Sequence, residues 1–351
     1  MTNETKNVPE LRFPEFKDEW EEIKVDDLSE EKYGGGTPKT SIKNYWEGKL
    51  PWIQSSDLTE DVLLDISANK NISYEAIKNS AAKYIPSNSI AIVTRVGVGK
   101  LGLINFNYAT SQDFLSLSKL NFNPLYTVYS LYKIIKKISK HIQGTSIKGI
   151  TKPELLSSKL FITKNKKEQQ KIGDFFSKLD HQIELEEQKL EQLEAQKKGY
   201  MQKIFSQELR FKDENGNDYP EWEEKKLRDI AKIKTGNKNA QDSIENGKYY
   251  FFDRSVEIKY LDTYDFDEKA IIYPGEGSKF LPKYFEGKYS LHQRAYSIYD
   301  IQIDSNYLYS FLCLQNNHFL KYAVGSTVKS LRMAAFDKLK IRIPEPEEQQ
   351  K

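Results

Sequence analysis

The stretch "KKEQQKIGDFFSKLDHQIELEEQKLEQLEAQKKGYMQKIFSQ", Lys166 to Gln207, decides the architecture of this 351-residue chain. It contains no Pro, and its only glycines are Gly173 and Gly199. Alternate steps of four and three fall on Ile172, Phe176, Leu179, Ile183, Glu186, Leu190, Leu193, Lys197, Tyr200 and Ile204. All but Glu186 and Lys197 are apolar or aromatic, whereas the residues between them are mostly Glu, Gln and Lys. A stripe repeating every 3.5 residues is the seam of a coiled coil. At ~1.5 Å per residue the helix spans roughly 60 Å. A merely solvated, charged helix gives no reason for so regular a stripe. The seam therefore predicts a partner helix met through Ile172, Phe176, Leu179, Ile183, Leu190, Leu193, Tyr200 and Ile204.

On either side of this helix the chain repeats itself. "LRFPEFKDEWEEIKVDDL" (Leu11–Leu28) returns as "LRFKDENGNDYPEWEEKKLRDI" (Leu209–Ile230), with Leu-Arg-Phe offset by 209 − 11 = 198 and Trp-Glu-Glu by 222 − 20 = 202. "GKLPWIQSSDL" from Gly48 parallels "GKYYFFDRSVEI" from Gly247. "GTSIKGITKPELLSSKLFITKNKKEQQK" (Gly144–Lys171) parallels "GSTVKSLRMAAFDKLKIRIPEPEEQQK" (Gly325–Lys351). Four landmarks in the same order define two long repeats. Runs such as "SIAIVTRV", "KLGLINF", "AIIYPG" and "KLKIRI" read as strands bounded by Gly, Pro, Asn and Asp. "YTVYSLYKIIKKISKHI" and "SNYLYSFLCLQNNHFLKYA" carry apolar residues at helical spacing. The expected fold is α+β: two repeated mixed α/β domains joined by a long coiled-coil-type helix. The boundaries fall at 8–165, 166–207 and 208–346, with 347–351 beginning a second helix.

Composition narrows the function classes. With 13% aromatic residues the chain is globular, and a net charge of +2 announces no bulk affinity for nucleic acid, although 53 Lys and Arg can be segregated by the fold. Cys313 is the only cysteine, which excludes an internal disulfide and a multi-cysteine zinc site. The start "MTNETKNVPELRF" lacks the pattern of a signal peptide, and no apolar run approaches the ~20 residues of a membrane span. A cytoplasmic location is expected.

Two stretches imitate enzyme motifs. In "SIAIVTRVGVGKLGLINF" the glycines Gly97, Gly99 and Gly102 follow an apolar run in the spacing of a dinucleotide-binding turn. That turn must open a helix whose amides face phosphate. Here an alternating, strand-like segment follows, and the second repeat carries "AIIYPGEGSKFLPKYF" instead. Both read as strand–turn–strand loops. Asn123-Pro124-Leu125-Tyr126 lies one residue from the Asn-Pro-Pro-Tyr motif of amino-methyltransferases, but Asn-Pro opening a helix explains it. His141, His181, His292 and His318 lack ligand spacing, so no metal site is expected. No catalytic set is legible.

What recurs is loop chemistry suited to nucleic acid. "YGGGTPKTS" (Tyr33–Ser41) and "TGNKNAQDS" (Thr235–Ser243) occupy equivalent places and offer Thr37, Lys39, Asn237 and Lys238 to phosphates or base edges. "TRVGVGK" adds Arg95 and Lys100, and Gln112 lies a little beyond. The second repeat offers Arg254, Lys279, Gln293 and Arg294. "GTSIK" and "GSTVK" supply Ser146, Lys148 and Lys329, with Arg332 following. Recurrence in both repeats marks the set as candidate DNA-binding residues.

These features together resemble the specificity subunits of type I restriction–modification enzymes. The resemblance rests on Leu-Arg-Phe-Pro-x-Phe…Trp (Leu11–Trp20), Gly-Gly-Thr-Pro (Gly35–Pro38), "PWIQSSDL" (Pro51–Leu58), "GTSIKGI" and "EQQKIGDFF" (Glu168–Phe176). It implies two target-recognition domains alternating with two conserved helices that pair antiparallel. Each domain would read half of a split sequence in double-stranded DNA. The chain would be noncatalytic and bind no cofactor. Modification (methyltransferase) subunits that methylate adenine with S-adenosylmethionine would dock on it, and restriction subunits using ATP and Mg would complete the complex. In this chain the second repeat reaches Glu348–Lys351 where a second, here truncated, helix would begin. The seam is accordingly expected to pair with a second copy or another subunit. Two other classes compete: a stand-alone DNA methyltransferase or nuclease, and a coiled-coil scaffold binding protein.

Overall fold

The structure, a computed structural model, describes residues 9–143, 149–255 and 257–351. Candidates Ser146 and Lys148 lie outside the described residues. The chain divides into two compact units, Met1–Gln188 and Lys189–Lys351, so the boundary falls within the long helix.

In the first unit β1 (Glu21–Lys24), β2 (Ser29–Gly34), β3 (Leu50–Ile53), β4 (Lys70–Ile72), α1 (Tyr74–Asn79) and β5 (Ser89–Val93) come first. They are followed by β6 (Leu101–Ile104), β7 (Ala109–Thr110), β8 (Phe114–Leu120), α2 (Pro124–Gln143), α3 (Lys152–Ser157), β9 (Lys159–Ile162) and α4 (Lys166–Phe205). One sheet has the order β2-β8-β5-β6 and a second the order β4-β3-β7, with β3 parallel to β7. All five side chains of β5 are buried, which is why "SIAIV" is a continuous apolar run and does not alternate. Ile90 and Ile92 pack toward α2 with Tyr126, Val128, Leu131 and Ile135. Ala91 and Val93 face the opposite cluster around Ile53, Leu58 and Tyr108. The Asn-Pro pair opens α2 as anticipated: Asn123 Oδ1 accepts from the Tyr126 amide at 3.0 Å, one residue beyond Pro124 and Leu125.

The second unit contains β10 (Glu223–Lys226), α5 (Leu227–Ile230), β11 (Lys232–Thr235), β12 (Tyr249–Phe252), β13 (Lys259–Leu261), β14 (Phe266–Pro274) and β15 (Glu276–Gly277). After these come β16 (Lys283–Leu291), β17 (Ala295–Tyr299), α6 (Ser305–Cys313), α7 (Asn316–Tyr322), β18 (Lys329–Ser330), α8 (Met333–Asp337), β19 (Lys340–Ile343) and α9 (Pro346–Gln349). Its main sheet has the order β11-β17-β14-β16-β12-β13. Strand for strand this is the first unit's order, except that β6 and β7 are replaced by the single strand β16. The parallel pair β12 and β16 repeats β3 and β7. The sequence repeat is a repeat of topology.

"SNYLYSFLCLQNNHFLKYA" is two helices, α6 and α7, broken at Leu314 and Gln315. Gln315, Asn316 and Asn317 follow in succession. Asparagine is a poor helix interior residue, and Asn316 uses Oδ1 to accept the Phe280 amide at 2.8 Å.

Each unit is closed by its ends. β1 pairs antiparallel with β9, and β10 with β19. Across this seam Arg12 makes two bonds to the Glu168 carboxylate (2.6 and 2.9 Å), and Trp20 Nε1 donates to it at 3.3 Å. In the second unit Arg210 (3.3 and 2.8 Å) and Trp222 (3.0 Å) hold Glu348 in the same way. Both carboxylates are buried. The next residue repeats the pattern. Gln169 bonds the Thr163 carbonyl and the Asn123 amide, and Gln349 bonds the Pro344 carbonyl and the Asp304 amide. Thus the glutamine ties the strand before it to the start of α2 or α6. Asn165 caps α4, accepting from the Lys167 and Glu168 amides at 3.0 and 3.3 Å.

The stripe of α4 is divided. Ile172 packs into the first unit's core, and Phe176 leans on Tyr129 at 5.3 Å. Tyr129 donates to Asp180 at 2.6 Å, which ties the first turns of α4 to α2. Phe176, Leu179, Ile183, Leu190, Leu193 and Tyr200 are each at least 39% exposed, whereas Ile204 is half-buried.

Burial works to raise the Glu168 carboxyl, but donors from Arg12, Thr163 and Trp20 and the Arg12 charge bring it below its ordinary value. Its contribution to stability is therefore complete above the unfolded value, ~4.3, and is lost as pH falls through the folded one. Glu168→Ala should destabilise the first unit by about 3–5 kcal/mol, because it strands a largely buried guanidinium. Glu168→Gln should flatten the acid side of its stability curve. Denaturation read by amide exchange in β1 and β9 checks both; unchanged protection in both variants would contradict the role. For α4, charged replacements at Leu190 and Leu193 should abolish association visible to light scattering at tens of micromolar. A strictly monomeric wild-type chain whose α4 is nonetheless fully protected from amide exchange would contradict the seam.

Candidate nucleic-acid interface

Antiparallel register gathers the candidate residues at one end of each sheet. In the first unit β2 ends at Gly34 opposite Leu115, β5 ends at Val93 opposite Phe114, and β6 begins at Leu101 opposite Ile92. The loops carrying Thr37, Lys39, Arg95, Lys100 and Gln112 therefore leave the same edge. Thr37 Oγ1 donates to Gln112 Oε1 at 2.5 Å, which joins two of these loops directly. Lys100 Nζ donates to the Ser55 carbonyl at 3.2 Å, drawing in the loop after β3. The Ile150 amide donates to Thr94 at 2.8 Å, so the segment following residues 144–148 returns to this edge. Trp46 Nε1 donates to the Lys39 carbonyl at 3.3 Å and steadies that loop. Thr37, Lys39, Arg95 and Gln112 are exposed, and Lys100 is half-buried.

The glycines of "TRVGVGKLG" make the turn between β5 and β6. Gly97 (φ +92°) and Gly99 (φ +115°) occupy the left-handed region that a side chain disfavours. A Cβ on Gly99 would also lie 2.8 Å from Ser139 Oγ. Gly102 sits within β6, where a Cβ would press on Ile66. No helix opens at this motif, and the loop is a hairpin displaying Arg95.

In the second unit Asn237 and Lys238 follow β11, and Gln293 and Arg294 precede β17. The Gln293 amide donates to the Lys238 carbonyl at 2.9 Å, and Gln293 Nε2 donates to Asn239 Oδ1 at 2.9 Å. The register gives residue equivalences. Ala91 pairs with Ser116 and Ile272 with Ser297, and 272 − 91 = 297 − 116 = 181. Gln293 therefore stands where Gln112 stands in the first unit. Lys329 pairs with Gly277 through β15 and β18, bringing the "GSTVK" segment to this edge. Asn237, Arg254, Lys279, Gln293, Arg294 and Arg332 are exposed; Lys238 and Lys329 are half-buried.

The carboxylates among these cations are not distinguished by the sequence. Glu276, 11% exposed, accepts from Arg294, from Ser330 (3.3 Å) and from Arg254 (3.5 Å). Burial works to raise its carboxyl, but Arg294, Ser330 and Arg254 together bring it below the ordinary value. Asp265 lies 3.6 Å from Lys238 Nζ, and Asp253 accepts from Lys259 at 2.6 Å. No sequence signal marks these three among 51 acids. Among the described residues no group of three His, Cys, Asp or Glu side chains is placed to hold a metal ion. No helix among them is long and apolar enough to cross a membrane.

Two mixed α/β units of matching strand order, each closed by an Arg–Glu pair with a buried carboxylate and each displaying polar loops at one sheet edge, define a tandem-repeat protein. The chain belongs to the type I restriction modification DNA specificity domain family, whose pattern matches residues 17–195 and 219–351. It is 31% identical over 258 residues to the type I restriction enzyme MjaIX specificity subunit of Methanocaldococcus jannaschii, a match covering 69% of this chain and 58% of that protein. It is 32% identical over 157 residues to the EcoR124I/EcoR124II specificity subunit of Escherichia coli, covering 42% of this chain and 38% of the relative. The chain thus spans well under two thirds of the length of these relatives. Its fold is like that of the type I restriction–modification S subunit from M. genitalium, with a TM-score of 0.57 at 16% identity over 99% of this chain and 89% of that one.

Replacing Arg95 and Lys100 together by alanine should weaken binding to duplex DNA and lower the salt dependence of log K by about 1–2. Sequence preference set by the second unit should persist. Titrations at several salt concentrations check this; an unchanged slope and affinity would remove both residues from the interface.

Proposed function

We propose that this chain is a noncatalytic DNA sequence-recognition subunit of a type I restriction–modification complex, in which each unit reads one half of a bipartite target. The observation that carries the reading is the repetition of one sheet topology with its polar loops at the same edge, and with different side chains there in the two copies. A repeated frame with divergent edges suits two readers of two unlike half-sites. Base edges are distinguished by side chains of defined donor and acceptor pattern, as Gln112, Gln293 and Arg294 provide.

In this reading modification subunits supply adenine methylation with S-adenosylmethionine, and restriction subunits supply ATP- and Mg-dependent cleavage; this chain binds none of these cofactors. The exposed stripe of α4 is the docking face for a second helix, from another copy of the chain or from a modification subunit. Its apolar residues give that contact a hydrophobic driving force.

Exchanging residues 1–165 for those of a relative tests the two-reader arrangement in a complex with modification subunits. One half of the methylated sequence should change and the other should stay. A change in both halves would contradict independent readers.

A further inference from the structure

Glu276 lies between two arginines at the reading edge of the second unit. It immediately follows Gly275, where any side chain would collide with the Arg294 backbone carbonyl, so the turn after β14 is pressed against the turn before β17. The Glu276 carboxylate is 11% exposed, and both its oxygens are engaged: Oε1 by Arg294 and Ser330, Oε2 by Arg254. The guanidinium-bearing side chains are in contrast 63% exposed for Arg294 and 67% for Arg254. An ordinary surface ion pair exposes both partners and fixes neither. Here the anion is sheltered and the two cations project from it.

The first unit supplies a comparison at the same register positions. Carried just past the last paired positions, Val93–Phe114 and Pro274–Ala295, the offset of 181 sets Arg95 against Glu276 and Asp113 against Arg294. The two copies keep the frame and exchange the signs of charge at this corner. Among the described residues Arg95 and Asp113 form no ion pair, so the Glu276 clasp is particular to the second copy and is not part of the shared frame.

We propose that Glu276 is a positioning residue that presents Arg294 and Arg254 to guanine edges in the major groove, and so sets the guanine preference of the second half-site. This rests on the DNA-reading function proposed above. Arginine carries five donors in a rigid fork, and its bidentate match to guanine O6 and N7 is the commonest specific base contact. One donor edge anchored on a sheltered carboxylate fixes the direction of the fork before DNA arrives, which lowers the ordering cost of binding. Without Glu276 two like charges would share one corner with no anion between them.

The test is selection from a randomised duplex library by the full chain assembled with its modification subunit, comparing wild type with Glu276→Gln, Arg294→Ala and Arg254→Ala. Arg294→Ala and Arg254→Ala should each lose guanine discrimination at a position of the second half-site by roughly 5- to 150-fold, the range for one bidentate base contact. Glu276→Gln should relax the same positions without changing the first half-site or the slope of log K against log salt. Circular dichroism melting of each variant separates this from unfolding: a purely structural Glu276 would lower the melting temperature and leave the selected motif intact. A wild-type motif that survives Glu276→Gln and Arg294→Ala overturns this proposal alone. Enrichment of no motif by the wild-type complex overturns the DNA-reading function and this proposal with it.

Discussion

Each unit depends on one buried carboxylate that meets an arginine from the far end of the same repeat. Glu168 sits in the first turn of α4, but its partners Arg12 and Trp20 precede β1; Glu348 meets Arg210 and Trp222 in the same way. A buried carboxylate left unpaired is strongly destabilising, so each glutamate requires its arginine. The requirement joins the two ends of each repeat and sets the start of α4 against the first core. The glutamine after each glutamate then bonds the helix that backs the sheet. The sheet, and with it the edge bearing the candidate residues, is held in place from this clasp.

Local features of the fold were legible because their causes are local. The 3.5-residue stripe marks α4, buried apolar runs mark β5 and β14, and Asn123-Pro124 carries its own cap. Repeated landmarks foretold the repeated topology without giving its strand order. The clasp was visible only as recurring letters, since Arg12 and Glu168 lie 156 residues apart and no periodicity links them. The break between α6 and α7 has no local signal, since the apolar spacing continues through Leu314 while Asn316 serves the distant Phe280 amide. Ile172 lies on the stripe but packs into a core, because α4 leaves that core only after its first turns. The loop cations were legible as a set; the carboxylates that organise them were not.

Those carboxylates also bear on the modest net charge of +2. Phosphate neutralisation gives affinity without sequence information, whereas base edges demand directed donors and acceptors. Glu276, Asp265 and Asp253 lower the local positive charge but fix the cations beside them. An edge of this kind favours discrimination over bulk attraction. Glu276 with its two arginines belongs to the second copy alone, so one frame carries two different edges.

The central claim is that two equivalent frames read two separate half-sites. Mapping of methylated adenines across the genome of a host that expresses this chain with its modification subunits tests it most directly. The account predicts a motif of two specified blocks separated by unspecified bases at a fixed spacing. A single uninterrupted motif, or a methylation pattern indifferent to the presence of this chain, would contradict it.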